Sequence, residues 1–135
     1  MALIVIIEDN PQNARMAAKL LRRREHTVLL AENGEIGMTM LDEQQPDILL
    51  VDLGLPDIDG QTVISVTRQR PEYQTLPIIA FTAWPTDTAS TIAHAYGCNG
   101  IISKPINTRT FAKQVESFLK EGNGQITDSQ ITEGN

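Results

Sequence analysis

The chain has 135 residues, enough for one domain with a buried core, and a formal net charge of −6, which argues against a broad basic surface for nucleic acid. Its single cysteine, Cys98, excludes an internal disulfide. No apolar stretch approaches the length that spans a bilayer, and no cationic leader precedes the first strand. We therefore expect a cytoplasmic protein without membrane insertion.

Five short apolar runs alternate with stretches of helical spacing along the chain. The runs are continuous and rich in β-branched residues, which is typical of strands buried on both faces. This alternation predicts parallel strands with right-handed crossovers and helices on both faces. The expected fold is flavodoxin-like α/β, a three-layer αβα sandwich whose five-stranded parallel sheet has the order 2-1-3-4-5, with five helices. The runs cover residues 3–7, 27–31, 48–51, 78–81 and 101–102.

Apolar residues at helical spacing mark the five helices. Asn10 is the expected cap of the first helix and Pro11 its first residue. Residues 1–120 are expected to form the domain, and residues 121–135, rich in Gly, Asn, Gln, Thr and Ser, a mobile tail. The marking residues are Ala14, Ala17, Leu20 and Leu21 in the first helix, Ile36, Met40 and Leu41 in the second, Val63, Ile64 and Thr67 in the third, Ala89, Ile92, Ala93 and Tyr96 in the fourth, and Phe111, Val115, Phe118 and Leu119 in the fifth.

Polar residues suited to phosphoryl chemistry stand at the carboxyl ends of four of the runs. Glu8 and Asp9 follow the first run, and Asp52 follows the third. Thr82 follows the fourth, and Lys104 comes shortly after the fifth. In parallel α/β sheets these ends gather at one edge, where ligands bind.

Three converging carboxylates require a cation, because repulsion and desolvation disfavour them otherwise. An all-oxygen donor set without His or Cys indicates a hard ion, and Mg²⁺ is the expected cofactor. Asp52 is the best candidate for a carboxylate nucleophile that forms an aspartyl phosphate. The Thr82 hydroxyl and the Lys104 ammonium are suited to bind the phosphoryl oxygens.

Four motifs resemble those of the receiver domain of two-component response regulators. They are residues 8–10 (Glu-Asp-Asn), 52–60 (Asp-Leu-Gly-Leu-Pro-Asp-Ile-Asp-Gly), 81–83 (Phe-Thr-Ala) and 103–106 (Ser-Lys-Pro-Ile). They stand in the family's order and spacing, the resemblance covers residues 2–120, and it is nearest to stand-alone, single-domain receivers, cell-division regulators among them.

The resemblance implies that Asp52 accepts a phosphoryl group from a sensor histidine kinase or a histidine phosphotransfer protein. It implies Mg²⁺ held by Asp9, Asp52 and the Gly54 carbonyl, with Glu8 acting largely through bound water. Thr82 and Lys104 would bind the phosphoryl oxygens. Phosphorylation would change the face formed by helix 4, strand 5 and helix 5, which a downstream protein target would bind. Such a protein catalyses only its own phosphorylation and dephosphorylation, so we expect a signalling protein rather than an enzyme.

Three positions depart from the family pattern. Most receivers carry an aromatic residue or His three residues before the lysine, where this chain has Ile101. Gly54 stands where a larger side chain is common, and Trp84 stands two residues after the threonine. The last two positions flank the phosphate in the family, so Gly54 is expected to admit water or a donor, while Trp84 either covers the site, binds a partner or packs against the loop.

The remaining reactive side chains are expected to have structural roles. We interpret Cys98 as a small buried residue and His26 and His94 as surface residues, with His94 an alternative partner contact. The cationic cluster 22–24 is interpreted as a solvated helix end or, alternatively, a partner contact.

Three other functions remain open. The chain could be the receiver segment of a longer hybrid kinase or regulator. A phosphohydrolase with an aspartyl-phosphate intermediate would need a second Asp two residues after its nucleophile, where Gly54 and Pro11 stand. A flavin or nucleotide carrier would need a Gly-rich or Ser/Thr-rich loop after the first strand, where this chain has acidic residues.

Overall fold

Five parallel strands form one sheet in the order β2-β1-β3-β4-β5, which confirms the predicted topology. In the computed structural model, which describes residues 1–122, the alternation of strands and helices is also as predicted. The strands are β1 (Leu3–Ile7), β2 (Thr27–Ala31), β3 (Ile48–Asp52), β4 (Ile78–Thr82) and β5 (Gly100–Ser103). The helices are α1 (Pro11–Arg22), α2 (Gly34–Glu43), α3 (Gly60–Gln69), α4 (Thr86–Tyr96) and α5 (Phe111–Gly122), with a short 3₁₀ helix at Pro71–Tyr73.

The strand register places the carboxyl ends of the strands at one level. Ile7 pairs with Ala31 on one side and with Val51 on the other. Asp52 pairs with Phe81, and Thr82 pairs with Ser103. Residues that follow β1, β3, β4 and β5 therefore leave the sheet at the same edge.

Alternating strand residues build one hydrophobic core on each face of the sheet. Ile4 and Ile6 contribute to a core with α1 and α5, in which the Phe81 and Phe111 rings lie 6.1 Å apart between centroids. Val5 contributes to the second core, with residues of α2, α3 and α4. The central strands β1, β3 and β4 are thus buried on both faces, which is why they are continuous hydrophobic segments in the sequence, whereas the edge strands β2 and β5 are partly exposed.

The start of α1 matches its prediction. The Asn10 side-chain oxygen accepts hydrogen bonds from the backbone amides of Gln12 (2.9 Å) and Asn13 (3.1 Å), and Pro11 is the first helical residue. These bonds satisfy amides that have no acceptor within the helix. The predicted inward residues of α1 are buried: Ala14, Ala17, Leu20 and Leu21.

Two apolar residues that mark predicted helices do not face the core. Ile36 in α2 is 37% exposed, and Tyr96 at the end of α4 is 43% exposed. The interior is filled by their neighbours Leu41 and Ala89, which are buried. Helical spacing therefore identified the helices correctly, although not every residue that marks them is buried.

The prediction that His26 lies on the surface is wrong. Its side chain is only 7% exposed, and its Nδ1 accepts a hydrogen bond from the Ala2 amide at 3.1 Å. Its Nε2 lies 2.8 Å from a carboxylate oxygen of Glu116 in α5. The imidazole therefore fills a gap between the amino-terminal end of the sheet and α5, because its two nitrogens have partners there.

The other residues with expected structural roles are placed as follows. His94 is exposed, as expected. Cys98 is partly buried, its Sγ donates to the carbonyls of Ile78 (3.1 Å) and Gly100 (3.0 Å), and burial raises the pKa of its thiol. In the cationic cluster, Arg22 donates to the Val28 carbonyl at 2.8 Å, and Arg24 forms two hydrogen bonds with Glu116.

The last helix, α5, extends slightly beyond the predicted domain boundary at residue 120. Helix α5 extends to Gly122, and the rest of the predicted tail, residues 123–135, lies outside the described residues. None of the helices described for residues 1–122 has the length and hydrophobicity needed to cross a membrane.

Candidate functional site

Three carboxylates meet where β1 and β3 end side by side. Glu8 and Asp9 directly follow β1, and Asp52 is the last residue of β3, its neighbour in the sheet. One oxygen from each of the three lies within 4.8 Å of the others. Glu8 and Asp52 are buried, whereas Asp9 is exposed. The structure thus brings together the three acids that the sequence placed at this edge.

Lys104 approaches these acids from the β5 side, at the same end of the sheet. It follows β5, and its backbone amide donates to the Thr82 carbonyl at 2.8 Å, which fixes the start of its side chain. Its Nζ forms an ion pair with Glu8 and lies 3.3 Å from Asp52 Oδ2. The same Nζ lies 4.9 Å from the centroid of the Phe81 ring, within the range of a cation–π contact. The peptide bond between Lys104 and Pro105 is cis.

The two oxygens of Asp52 have different partners. Oδ1 accepts a hydrogen bond from the Gly54 amide at 2.9 Å, and Oδ2 faces Lys104. Burial by itself raises the pKa of the Asp52 carboxyl, but the Gly54 amide, a hydrogen bond from Glu8 and the Lys104 charge together outweigh burial and lower the pKa. Asp52 is therefore a charged carboxylate at neutral pH.

Glu8 is shifted in the opposite direction. Burial is the largest cause, Asp52 adds to it, and the result is a pKa raised from an ordinary 4.5 to about 7. Lys104 and the Asn10 amide, which donates to Glu8 Oε2 at 3.2 Å, oppose the shift without cancelling it. The two neighbouring carboxyls thus have pKa values shifted in opposite directions, that of Glu8 upward and that of Asp52 downward.

Thr82 and Gly54 lie at the same edge of the sheet. Thr82 is buried at the end of β4, and its Oγ1 accepts a hydrogen bond from the Trp84 amide at 3.0 Å, which leaves the hydroxyl hydrogen available for another acceptor. Gly54 is exposed, and a Cβ built at this position would lie 3.7 Å from Asp52 Oδ1, an ordinary contact distance. A side chain at this position would therefore contact Asp52 Oδ1, and glycine supplies none.

Trp84 and Ile101, two of the departures from the family pattern, are both partly buried. Each packs against the second core, with residues of α3 and β4. Ile101 pairs with Ala80 in the sheet. Trp84 therefore packs against the protein at this position rather than standing free in solvent.

The donor set fits a hard divalent cation. All the candidate ligands are oxygens, and a buried oxygen of Glu8 has an ion pair with Lys104 but no hydrogen bond of ordinary geometry among the described residues. Oxygen ligands from one or two carboxylates, completed by water, are typical of Mg²⁺ sites. The acids of this cluster could hold such an ion.

One residue that the sequence did not indicate as part of this region is Asp57, in the loop after β3. Its carboxylate accepts hydrogen bonds from the Gly34 and Glu35 amides at the start of α2. The two partners are 23 and 22 residues away in sequence, so no local pattern connects them. Acidic residues are common in surface loops, so the sequence did not distinguish Asp57 from an ordinary loop residue. Its contact with α2 becomes evident only in the folded chain.

The chain belongs to the response regulator receiver domain family, whose family model matches residues 4–116. It is similar to the transcriptional regulatory protein AfsQ1 of Streptomyces coelicolor, with 32% identity over 96% of this chain, although the chain spans only 56% of that protein's length. It is also similar to the polar-differentiation response regulator DivK of Brucella anthropi, with 28% identity over 86% of this chain and 94% of DivK. Among solved structures, a putative response regulator from Chloroflexus aurantiacus superposes with a TM-score of 0.84 at 30% identity, covering 88% of this chain and 98% of that one.

Proposed function

We propose that this protein is a phosphorylation-controlled signalling switch in which Asp52 is the phosphoacceptor. The observation that carries the proposal is the environment of Asp52: a buried, charged carboxylate with one oxygen on the Gly54 amide and the other facing Lys104. The family relationship supports the same role. The phosphoryl donor is a sensor histidine kinase or a histidine phosphotransfer protein.

The transfer is a displacement at phosphorus. An oxygen of Asp52 forms a bond to phosphorus as the bond from phosphorus to the donor's imidazole nitrogen breaks, and the histidine leaves as imidazole after taking up a proton. Little covalent chemistry is required of the protein, so positioning and charge neutralisation account for most of the rate. Lys104 binds one phosphoryl oxygen as a point charge, and the Thr82 hydroxyl, whose hydrogen is free, donates to another.

Magnesium is the cofactor that the donor set suits. Asp9, Asp52 and the Gly54 carbonyl would hold it directly, with Glu8 acting through bound water. When bound, the ion offsets the negative charge of the carboxylates and of the transferring group.

The signal reaches a partner through the elements that follow the site. Thr82 ends β4 directly before the loop to α4, and Lys104 follows β5, so both phosphoryl ligands are attached to the face formed by α4, β5 and α5. Ile101 cannot act as the aromatic switch that most receivers have at this position. The Trp84 amide bonds to Thr82 Oγ1, so movement of Thr82 toward a phosphoryl group is transmitted to the loop that carries Trp84.

Phosphorylation by a small donor tests this function without the cognate kinase. Acetyl phosphate with Mg²⁺ should add one phosphate to the wild-type protein, and Asp52→Asn or EDTA should abolish labelling, as followed by intact-protein mass spectrometry. Asp59→Asn is the matched control, because Asp59 is an exposed acid of the same loop with no side-chain capping bond. Labelling of the Asp52→Asn protein at the wild-type rate would reject Asp52 as the acceptor, and sustained hydrolysis of p-nitrophenyl phosphate would indicate a phosphohydrolase instead.

A further inference from the structure

The loop between β3 and α3, residues 53–59, is hydrogen-bonded to the start of α2. Asp57 Oδ1 accepts a hydrogen bond from the Gly34 amide at 2.8 Å, and Oδ2 accepts one from the Glu35 amide at 3.0 Å. These amides open α2 and have no acceptor within the helix. The side chain of the local cap, Asn33, accepts a hydrogen bond from the Ile36 amide at 2.8 Å, which leaves the Gly34 and Glu35 amides to Asp57. Asp57 thus supplies the rest of the cap from another part of the chain.

A second contact allows the loop to approach α2 this closely. A Cβ at Gly34 would lie 2.9 Å from the Ile58 Cβ and 3.3 Å from Asp57 Oδ1. Ile58 itself packs against the second core. Any side chain at position 34 would therefore push the loop away from the helix, so Gly34 is required for the contact between Asp57 and α2.

The same loop is also hydrogen-bonded to Asp52, near its start. The Gly54 amide bonds to Asp52 Oδ1, and at the far end of the loop the Gly60 amide donates to the Leu53 carbonyl at 3.4 Å. The ends of the loop are thus held beside Asp52, and Asp57 holds its outer part. A carboxylate at a helix amino terminus is also favoured by the helix dipole.

We infer that Asp57 is a positioning residue for the phosphoacceptor loop: its bonds to α2 fix the backbone of Gly54 against Asp52 and so preset this site for a divalent cation. This inference rests on the proposed function but goes beyond it, because within residues 1–122 the hydrogen bonds of the Asp57 side chain go to α2 and not to Asp52 or the predicted metal ligands. Groups that orient metal ligands commonly affect affinity by roughly 10- to 100-fold. Since Asp57 is exposed and acts through a loop, the lower end of that range applies.

The test compares Asp57→Ala with Asp59→Ala. Both variants remove one negative charge from the same loop, but of these two acids the described structure shows side-chain hydrogen bonds to α2 for Asp57 alone. Asp57→Ala should raise the Mg²⁺ dissociation constant about tenfold in calorimetric titration and should speed hydrogen exchange at the Gly54 amide. Asp59→Ala should leave both unchanged, and Asp57→Asn, which keeps one acceptor oxygen, should be intermediate. Gly34→Ala, which displaces the loop while keeping Asp57, should weaken Mg²⁺ binding in the same direction.

The outcomes separate this inference from the proposed function. If Asp57→Ala lowers the melting temperature and exposes only the Gly34 and Glu35 amides, with Mg²⁺ affinity and Gly54 exchange as in Asp59→Ala, then Asp57 is a helix cap alone and the inference is overturned. Phosphorylation of the wild type at Asp52 would still support the switch in that case. If the wild-type protein takes no phosphate from acetyl phosphate, the proposed function is wrong whatever Asp57 does.

Discussion

Glu8 and Asp52 are neighbouring buried carboxyls with opposite electrostatic environments. The Gly54 amide donates to one oxygen of Asp52, and Lys104 lies near the other. For Glu8, burial is the largest influence on the pKa and raises it. Two like charges at this distance are unfavourable in a medium of low dielectric constant, so one proton remains with the pair near neutral pH. The pKa of Asp52 is therefore lowered while that of Glu8 is raised.

This arrangement makes Mg²⁺ binding depend on pH. With a pKa of about 7 in the folded protein, Glu8 contributes stability that is fully present below its unfolded pKa near 4.5 and is lost as the pH rises through 7. Binding of a cation favours the ionised form, so Mg²⁺ affinity should rise with pH, by up to about tenfold per pH unit below 7.

Calorimetric titration at pH 6, 7 and 8 measures the effect. Glu8→Gln should bind Mg²⁺ more weakly and with little pH dependence over this range. Glu32→Gln, an exposed acid beside the same site, should keep the wild-type pH dependence. Equal affinities of the wild type at pH 6 and pH 8 would contradict a raised pKa at Glu8.

Helix α3 begins so close to β3 that a side chain at its first residue, Gly60, would clash with the backbone. A Cβ at Gly60 would lie 2.3 Å from the Asp52 carbonyl oxygen and 2.6 Å from the Leu53 Cα. Both are backbone atoms, which cannot move aside as a flexible side chain can. Glycine at this position therefore determines how closely α3 and its loop pack against β3.

Gly60→Ala should destabilise the protein although alanine is the better helix former. Helix propensity would favour the change by about 1 kcal/mol, but forcing the backbone apart costs about 1–3 kcal/mol, so the free energy of unfolding in urea should fall. Labelling by acetyl phosphate should slow as well, because the Asp52 backbone must shift. Gly54→Ala is the matched control for stability, since its Cβ would meet Asp52 at 3.7 Å. Unchanged unfolding midpoints in both variants would show that α3 can move without cost.

Strands, helices and the edge of the sheet that carries the site were predictable because each follows from local patterns. A strand buried on both faces is an apolar run, and a parallel sheet aligns the residues that follow such runs. Asp52 and Lys104 could thus be placed at one edge from their positions after β3 and β5. Helical spacing predicted α2 and α4 but not which of the marking residues are buried: Ile36 and Tyr96 are exposed, because the width of a buried stripe depends on what packs against it.

Contacts between distant segments could not be predicted in this way. His26 is buried because Glu116, 90 residues later, lies against its ring. Asp57 caps a helix that begins 23 residues before it. Neither residue differs in sequence context from an ordinary surface residue, so only the packing of the folded chain distinguishes them.

The Glu116 cluster joins the two ends of the domain. Glu116 in α5 accepts hydrogen bonds from Arg24, just after α1, at 2.7 and 2.8 Å, and lies 2.8 Å from His26, just before β2. His26 in turn accepts from the Ala2 amide, just before β1. The loop between α1 and β2 therefore links α5, through Glu116, to the residue before β1, through His26, at the end of the sheet opposite Asp52.

Glu116 should make the stability of the domain sensitive to acid. Arg24 is the main cause, with His26 adding, of a Glu116 pKa lowered from 4.5 to about 2. A depressed pKa means that the contribution is fully present above pH 4.5 and is lost as the pH falls toward 2. Glu116→Gln should therefore lower the melting temperature at pH 7 by about 1–4 °C, as for a partly exposed ion pair, and this difference from the wild type should shrink between pH 4.5 and pH 3. The control is Glu72→Gln, which changes an exposed acid with no ion pair among the residues described and should have the wild-type melting temperature at every pH. If the melting temperature of Glu116→Gln differs from that of the wild type by the same amount down to pH 3, packing rather than charge holds α5 against the start of the domain.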